Sequence, residues 1–148
     1  MRWLGLDVGT KTIGVAVSDE LGFTAQGVET IPSGDEQPNV SIKRLKELIE
    51  LYQPSQIIVG DPKNMNGSTG PRAESIHRFA ERIERKTGLP VVLWDERLTT
   101  VSAEQTLISA DVSRKKRKQV IDKIAAVFIL QSYLDAHPQK ISGGGTDE

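Results

Sequence analysis

Acidic residues stand at three places where an apolar setting makes a carboxylate costly. Asp7 ends the first apolar run of the chain, inside GLDVGTKTIGVAVSD (residues 5–19). Asp95 and Glu96 follow the run VVLW (91–94), and Asp122 falls at the border of the apolar face of QVIDKIAAVFILQSYL. A carboxylate so placed must be paired, hydrogen-bonded or bound to a metal. Clustered carboxylates repel, and the usual remedy in an oxygen-only site is a hard divalent cation, Mg²⁺ or Mn²⁺. Two such ions a few ångströms apart activate water and stabilise the leaving oxygen in phosphodiester hydrolysis. Each acid also has an ordinary reading. Asp7 suits an Asx turn that accepts from the amide of Gly9 or Thr10. Asp122 suits a surface pair with Lys118 or Lys123, worth little. Arg97 is a ready partner for Asp95 or Glu96, and spacing does not choose between those two acids, since neighbours leave a strand on opposite sides.

The cations are distributed less evenly than the acids. Nineteen Lys and Arg against twenty Asp and Glu leave a net charge of −1, yet RKKRK (114–118) forms the one block of like charge. With Ser113 as N-cap, Arg114, Lys115 and Lys116 occupy a first helical turn, where the dipole disfavours cations by up to ~1 kcal/mol each. Folding does not ask for that arrangement. Together with Arg117 and Lys118 it suits a phosphate backbone held beside metal ions; the ordinary alternative is a solvated charge run. The stretch GDPKNMNGSTGPR (60–72) lies between a strand-like run and a helix, a common address for a binding loop. Its Asn64 and Arg72, with Thr10 and Lys11 in the turn after Asp7 and Arg97 after Glu96, complete the candidate nucleic-acid contacts. His77, Trp3 and Trp94 read as packing residues, because no stripe of aromatic side chains offers itself to bases.

The elements that must position these groups follow from periodicity. Residues 2–8, 12–18 and 23–31 read as three strands with short connections, an antiparallel meander. The stretch 32–39 reads as a loop. Ile42, Leu45, Leu48 and Ile49 recur at helical spacing, predicting a helix over 40–53. A buried strand follows at 56–60. A second helix is opened by Gly70-Pro71 and closed by Gly88-Leu89-Pro90. The last strand is 91–94, followed by a short helix at 101–108 and a long one over 114–135. Strand–helix–strand crossovers make the two later strands parallel to the first, giving an α/β fold with a mixed sheet and helices on both faces. Sites in such sheets gather at the carboxyl ends of strands. Asp7 and Asp95-Glu96 both stand there.

A chain of 148 residues predicts one domain, over 1–138, with a frayed tail at 139–148. The absence of cysteine excludes disulfides and thiolate metal sites. No apolar stretch reaches the ~18 residues of a membrane span, and the first residues lack a signal pattern. A cytoplasmic location without membrane contact is the expectation.

Taken together, GLDVGTKTIGVAVSD, VGDPKNMNGSTGPRAE, WDERLTTVSAEQTL and RKKRKQVIDKIAAVFILQSYLD resemble the YqgF (RuvX-like) family. The resemblance spans nearly the whole chain. It implies a ribonuclease H-like fold with a five-stranded sheet in the order 3-2-1-4-5. It also implies catalytic, metal-binding acids at Asp7, Glu96 and Asp122, favouring Glu96 over Asp95, with Mg²⁺ or Mn²⁺, two ions, as cofactor. The implied activity is a metal-dependent nuclease processing the 5′ end of precursor 16S rRNA, with the ribosomal particle as a partner. The alternatives are a Holliday junction resolvase cutting branched DNA as a homodimer, and a non-catalytic RNA-binding assembly factor. DVGTKTIGVAV also resembles the first phosphate loop of actin-like ATPases and sugar kinases, but those need a second such domain. At Asp61 the family resemblance leads one to expect an apolar residue.

Overall fold

A computed structural model describes residues 1–62, 70–95 and 114–137, with side chains in the last stretch from residue 123. The elements are β1 (Arg2–Val8), β2 (Ile13–Ser18), β3 (Ala25–Ile31), α1 (Pro38–Tyr52), β4 (Pro54–Asp61), α2 (Pro71–Thr87), β5 (Val91–Asp95) and α3 (Arg114–Ala136). The expected helix at 101–108, the Ser113 cap and the tail lie outside the described residues. The sheet order is β3-β2-β1-β4-β5, with β1, β2 and β3 antiparallel and β4 and β5 parallel to β1. Topology and order agree with the expectation. Among the described residues, no helix is long and apolar enough to cross a membrane.

Several boundaries differ from the periodicity, among them the start of β3, at Ala25 and not at 23. Helix α1 begins at Pro38, inside the stretch expected to be loop, because a proline at the first helical position has its φ already set and no amide to satisfy. Strand β4 begins at Pro54, two residues before its apolar run. The second helix behaves as its punctuation demands: Gly70 precedes Pro71, and Gly88 closes it in the left-handed region at φ 75°.

The sheet buries both faces. Leu4, Leu6 and Val8 of β1 join Ile57 and Val59 of β4 under α1 and α2, which contribute Ile42, Leu45, Leu48, Ile76, Phe79 and Ile83. On the other face Trp3, Ala16 and Ile58 meet Ala126, Ile129, Leu130 and Leu134 of α3. Helix α3 sits close because the row beneath it is small. Gly5, Ala16 and Gly27 are register partners across three strands. A Cβ on Gly5 would stand 2.7 Å from Leu130 Cβ and 3.2 Å from the Ala126 carbonyl, so only glycine fits. A Cβ on Gly27 would meet Lys123 Cγ at 2.7 Å, a flexible chain that is able to move. Gly5→Ala is therefore expected to cost about 1–3 kcal/mol through overpacking. Gly27→Ala should cost clearly less, and urea unfolding of both variants checks the ranking.

Helix α3 runs antiparallel to β1. Its Gln131 accepts from the Ala25 amide at 2.9 Å and donates to the Phe23 carbonyl at 2.9 Å, at the start of β3. Lys123 lies farther along β3, on Gly27. The first turns of α3 thus lead toward the carboxyl end of β1, which is the edge that carries Asp7.

Candidate active site

Asp7 is the penultimate residue of the central strand and is half-buried. Strand alternation puts it on the same face as Trp3 and Gly5, under α3. The Ala126 carbonyl lies over Gly5, and position 122 is one helical turn earlier, at the end of α3 that leads toward Asp7. The backbone therefore brings β1 and the Asp122 turn of α3 to one edge of the sheet.

The same alternation places Asp95, the last residue of β5. Val92 and Trp94 face α3, and Trp94 Nε1 donates to Ser132 Oγ at 3.0 Å. Val91 packs on the other face, so Asp95 falls on the side of α1 and α2, away from Asp7. Glu96, Arg97 and Asn64 lie outside the described residues, as do the side chains of Arg114, Lys115, Lys116, Arg117, Lys118 and Asp122. Among the described residues, no group of three His, Cys, Asp or Glu assembles into a metal cluster.

The turn after Asp7 is held more firmly than its sequence shows. The Gly9 amide donates to the Thr12 carbonyl at 2.8 Å, so that amide is engaged within the turn itself. Thr10 and Lys11 are exposed at its tip. Three consecutive carbonyls are then occupied from outside: Val8 accepts from Arg72 Nη2 at 3.0 Å, Gly9 from the Asp35 amide at 2.9 Å, and Thr10 from the Glu36 amide at 3.2 Å. Arg72 Nη1 also donates to Asp35 Oδ2 at 2.8 Å, and that carboxylate is only 9% exposed. Gly34 lies so close that an added Cβ would stand 2.1 Å from the Gly9 carbonyl.

The Arg72 guanidinium, an expected nucleic-acid contact, is engaged by Val8 and Asp35 across the end of β1. A charge-assisted, forked contact of this kind fixes geometry as well as adding energy. Arg72→Ala should destabilise the protein by about 2 kcal/mol, leaving the Asp35 carboxylate without its cation. Arg72→Lys should recover little, since one ammonium does not span both acceptors. Urea unfolding of both variants checks the two expectations.

Asp61 resolves differently from its neighbours. It is 5% exposed on the α2 side of β4, and its Oδ1 lies 2.8 Å from Nε2 of His77. It is thus satisfied on the face opposite Asp7. His77, read as simple packing, is the partner that makes this acid tolerable. The signal was the odd acid at the end of an apolar strand, but nothing local names a partner sixteen residues away.

A central strand ending in an acid, flanked in the order 3-2-1-4-5 with helices on both faces, is the ribonuclease H-like fold of the RuvC resolvases. RuvC of T. thermophilus in complex with Holliday junction substrate matches with a TM-score of 0.60 at 15% identity, covering 95% of this chain and 98% of that one. The fowlpox virus resolvase with Holliday junction DNA matches with a TM-score of 0.55 at 14% identity, covering 94% and 100%. Within that fold the chain belongs to the RuvX family, whose model, described as Holliday junction resolvase, matches residues 1–136. A Geobacillus sp. (strain WCH70) protein named "Putative pre-16S rRNA nuclease" is 65% identical over 136 residues, 92% of this chain and 99% of its own. A protein of the same name from Listeria monocytogenes serotype 4b (strain CLIP80459) is 64% identical over 135 residues, 91% and 98%.

Proposed function

We propose that this chain is a metal-dependent nuclease that hydrolyses phosphodiester bonds in structured RNA, with the 5′ end of precursor 16S rRNA as its substrate. The observation that carries the reading is the half-buried Asp7 at the carboxyl end of the central strand, on the α3 face and at the edge toward which the Asp122 turn leads. The names borne by relatives of above 60% identity over nearly the whole chain supply the substrate.

The donor chemistry fits a hard divalent cation. The proposed ligands Asp7, Glu96 and Asp122 offer carboxylate oxygens only, in a chain without cysteine. When bound, Mg²⁺ or Mn²⁺, in our reading two ions, supplies an activated water and charge stabilisation at the leaving oxygen. The chain's own residues do the positioning. Asp7 is fixed by the β1 ladder, and the carbonyls just after it are locked by Arg72, Asp35 and Glu36. Thr10 and Lys11, at the tip of that locked turn, approach the substrate backbone beside the acid. Arg114, Lys115, Lys116, Arg117 and Lys118 at the start of α3 hold further phosphates, with Asn64 and Arg97 as additional contacts. A ribosomal particle is the natural setting for such a substrate.

The family description favours a second reading, in which the substrate is a four-way DNA junction cut by a homodimer. One assay separates them. Purified protein with Mn²⁺ is offered a 5′-extended small-subunit RNA and a four-way DNA junction, with Asp7→Asn as control. Cleavage of the RNA alone supports the first reading. Paired, symmetric cuts in the junction support the second, and no Asp7-dependent cleavage of either rejects both.

A further inference from the structure

On the sheet face away from Asp7, α1 and α2 enclose a cationic track. Arg78, Arg82 and Arg85 of α2 recur at i, i+4 and i+7, so they form one stripe along the helix. They line a groove of about 410 Å³ whose far wall includes Asp35 and Pro38. Arg82 Nη2 donates to Asn39 Oδ1 at 2.9 Å, and Asn39 opens a second cleft of about 210 Å³ lined by Lys43, Lys46 and Lys86. None of these six cations has an ion-pair partner among the described residues. The acids lining the two clefts are Glu81 and Asp35, and Asp35 already holds Arg72. In the two clefts the six cations outnumber these two acids.

Position matters as much as charge. The track begins at Asp35, directly beneath the locked turn at the candidate active site. From Arg72 to Lys86 the helix rises about 21 Å at 1.5 Å per residue. Phe79, the aromatic side chain in the groove wall, is only 4% exposed, so the track offers phosphate contacts and no platform for stacked bases. That favours a double-helical arm, gripped by its backbone, over a splayed single strand.

We infer that the α1–α2 track binds the phosphate backbone of an RNA duplex arm that leaves the active-site edge, a second anchoring surface on the face opposite the RKKRK segment. The inference takes its substrate class from the nuclease reading, but its test measures binding and not cleavage.

The full chain is titrated against a labelled RNA hairpin with a long stem, without divalent ions, over a range of salt. The variants are Arg78→Gln/Arg82→Gln/Arg85→Gln and, at exposed positions only, Lys43→Gln/Lys46→Gln/Lys86→Gln. Each neutralised phosphate contact should lower the slope of log K against log salt by about 0.9. A triple variant should therefore lose about 2–3 units of slope and bind at least about tenfold more weakly at low salt. The charge-preserving Arg78→Lys/Arg82→Lys/Arg85→Lys variant should keep the slope. Unchanged slopes in both glutamine variants would overturn the track, even with RNA cleavage intact. A slope lost on a four-way DNA junction but kept on the RNA hairpin would overturn it as an RNA surface. Conversely, absent cleavage with the predicted slope changes would reject the nuclease reading and leave the track standing.

Discussion

Asp7→Asn is expected to lower divalent-ion-dependent RNA cleavage by about a thousandfold, equivalent to about 4 kcal/mol of lost transition-state stabilisation. The amide keeps the shape of the side chain and removes its charge, so the loss falls on metal binding and not on packing. Stability should change by no more than about 1 kcal/mol, the usual scale of a single polar substitution. Single-turnover cleavage with Mn²⁺ measures the first quantity and thermal unfolding the second. A variant that cleaves as well as the parent would remove Asp7 from the chemistry. A variant that unfolds would make the acid a structural residue of the turn.

The second large effect is expected at a glycine, in the loop that clamps the turn after Asp7. A methyl group at residue 34 would stand 2.1 Å from the Gly9 carbonyl and 2.4 Å from Thr10 C, both backbone atoms that a rotamer change cannot clear. Gly34→Ala must therefore separate the 33–36 loop from the β1–β2 turn. In doing so it breaks the two amide bonds from Asp35 and Glu36 and strains the Arg72 fork. A cost of about 3 kcal/mol follows from that list of losses. In a domain of this size it lowers the melting temperature by roughly 10 °C. Cleavage should fall with it, because the turn after Asp7 loses its register. Calorimetric melting and the cleavage assay test the two halves separately.

The contrast between these two sites shows what the sequence can disclose. Asp7 was legible because an acid at the end of an apolar run is costly anywhere, and because strand ends are where parallel sheets gather their sites. The paired crossovers and the limits of α2 were legible too, since apolar period, Pro71 and Gly88 are local signals, whereas the sheet order came only with the family resemblance. The start of α1 was misplaced because Pro38 serves a turn and a helix N-terminus equally well. The clamp was invisible. Asp35 and Arg72 are 37 residues apart, and no period or spacing relates a loop glycine to a carbonyl in another turn. The side on which Asp95 lies needed the packing partners of β5, because only they reveal which side of a strand is which. The same holds for Asp61, whose partner His77 lies on the helix that covers it.

Titration of Mn²⁺ into the metal-free protein by calorimetry tests the central claim most directly. Saturable binding in the parent, abolished or weakened more than about tenfold by each of Asp7→Asn, Glu96→Gln and Asp122→Asn, is the predicted result. Binding that survives all three substitutions unchanged, or is absent from the parent, would contradict it.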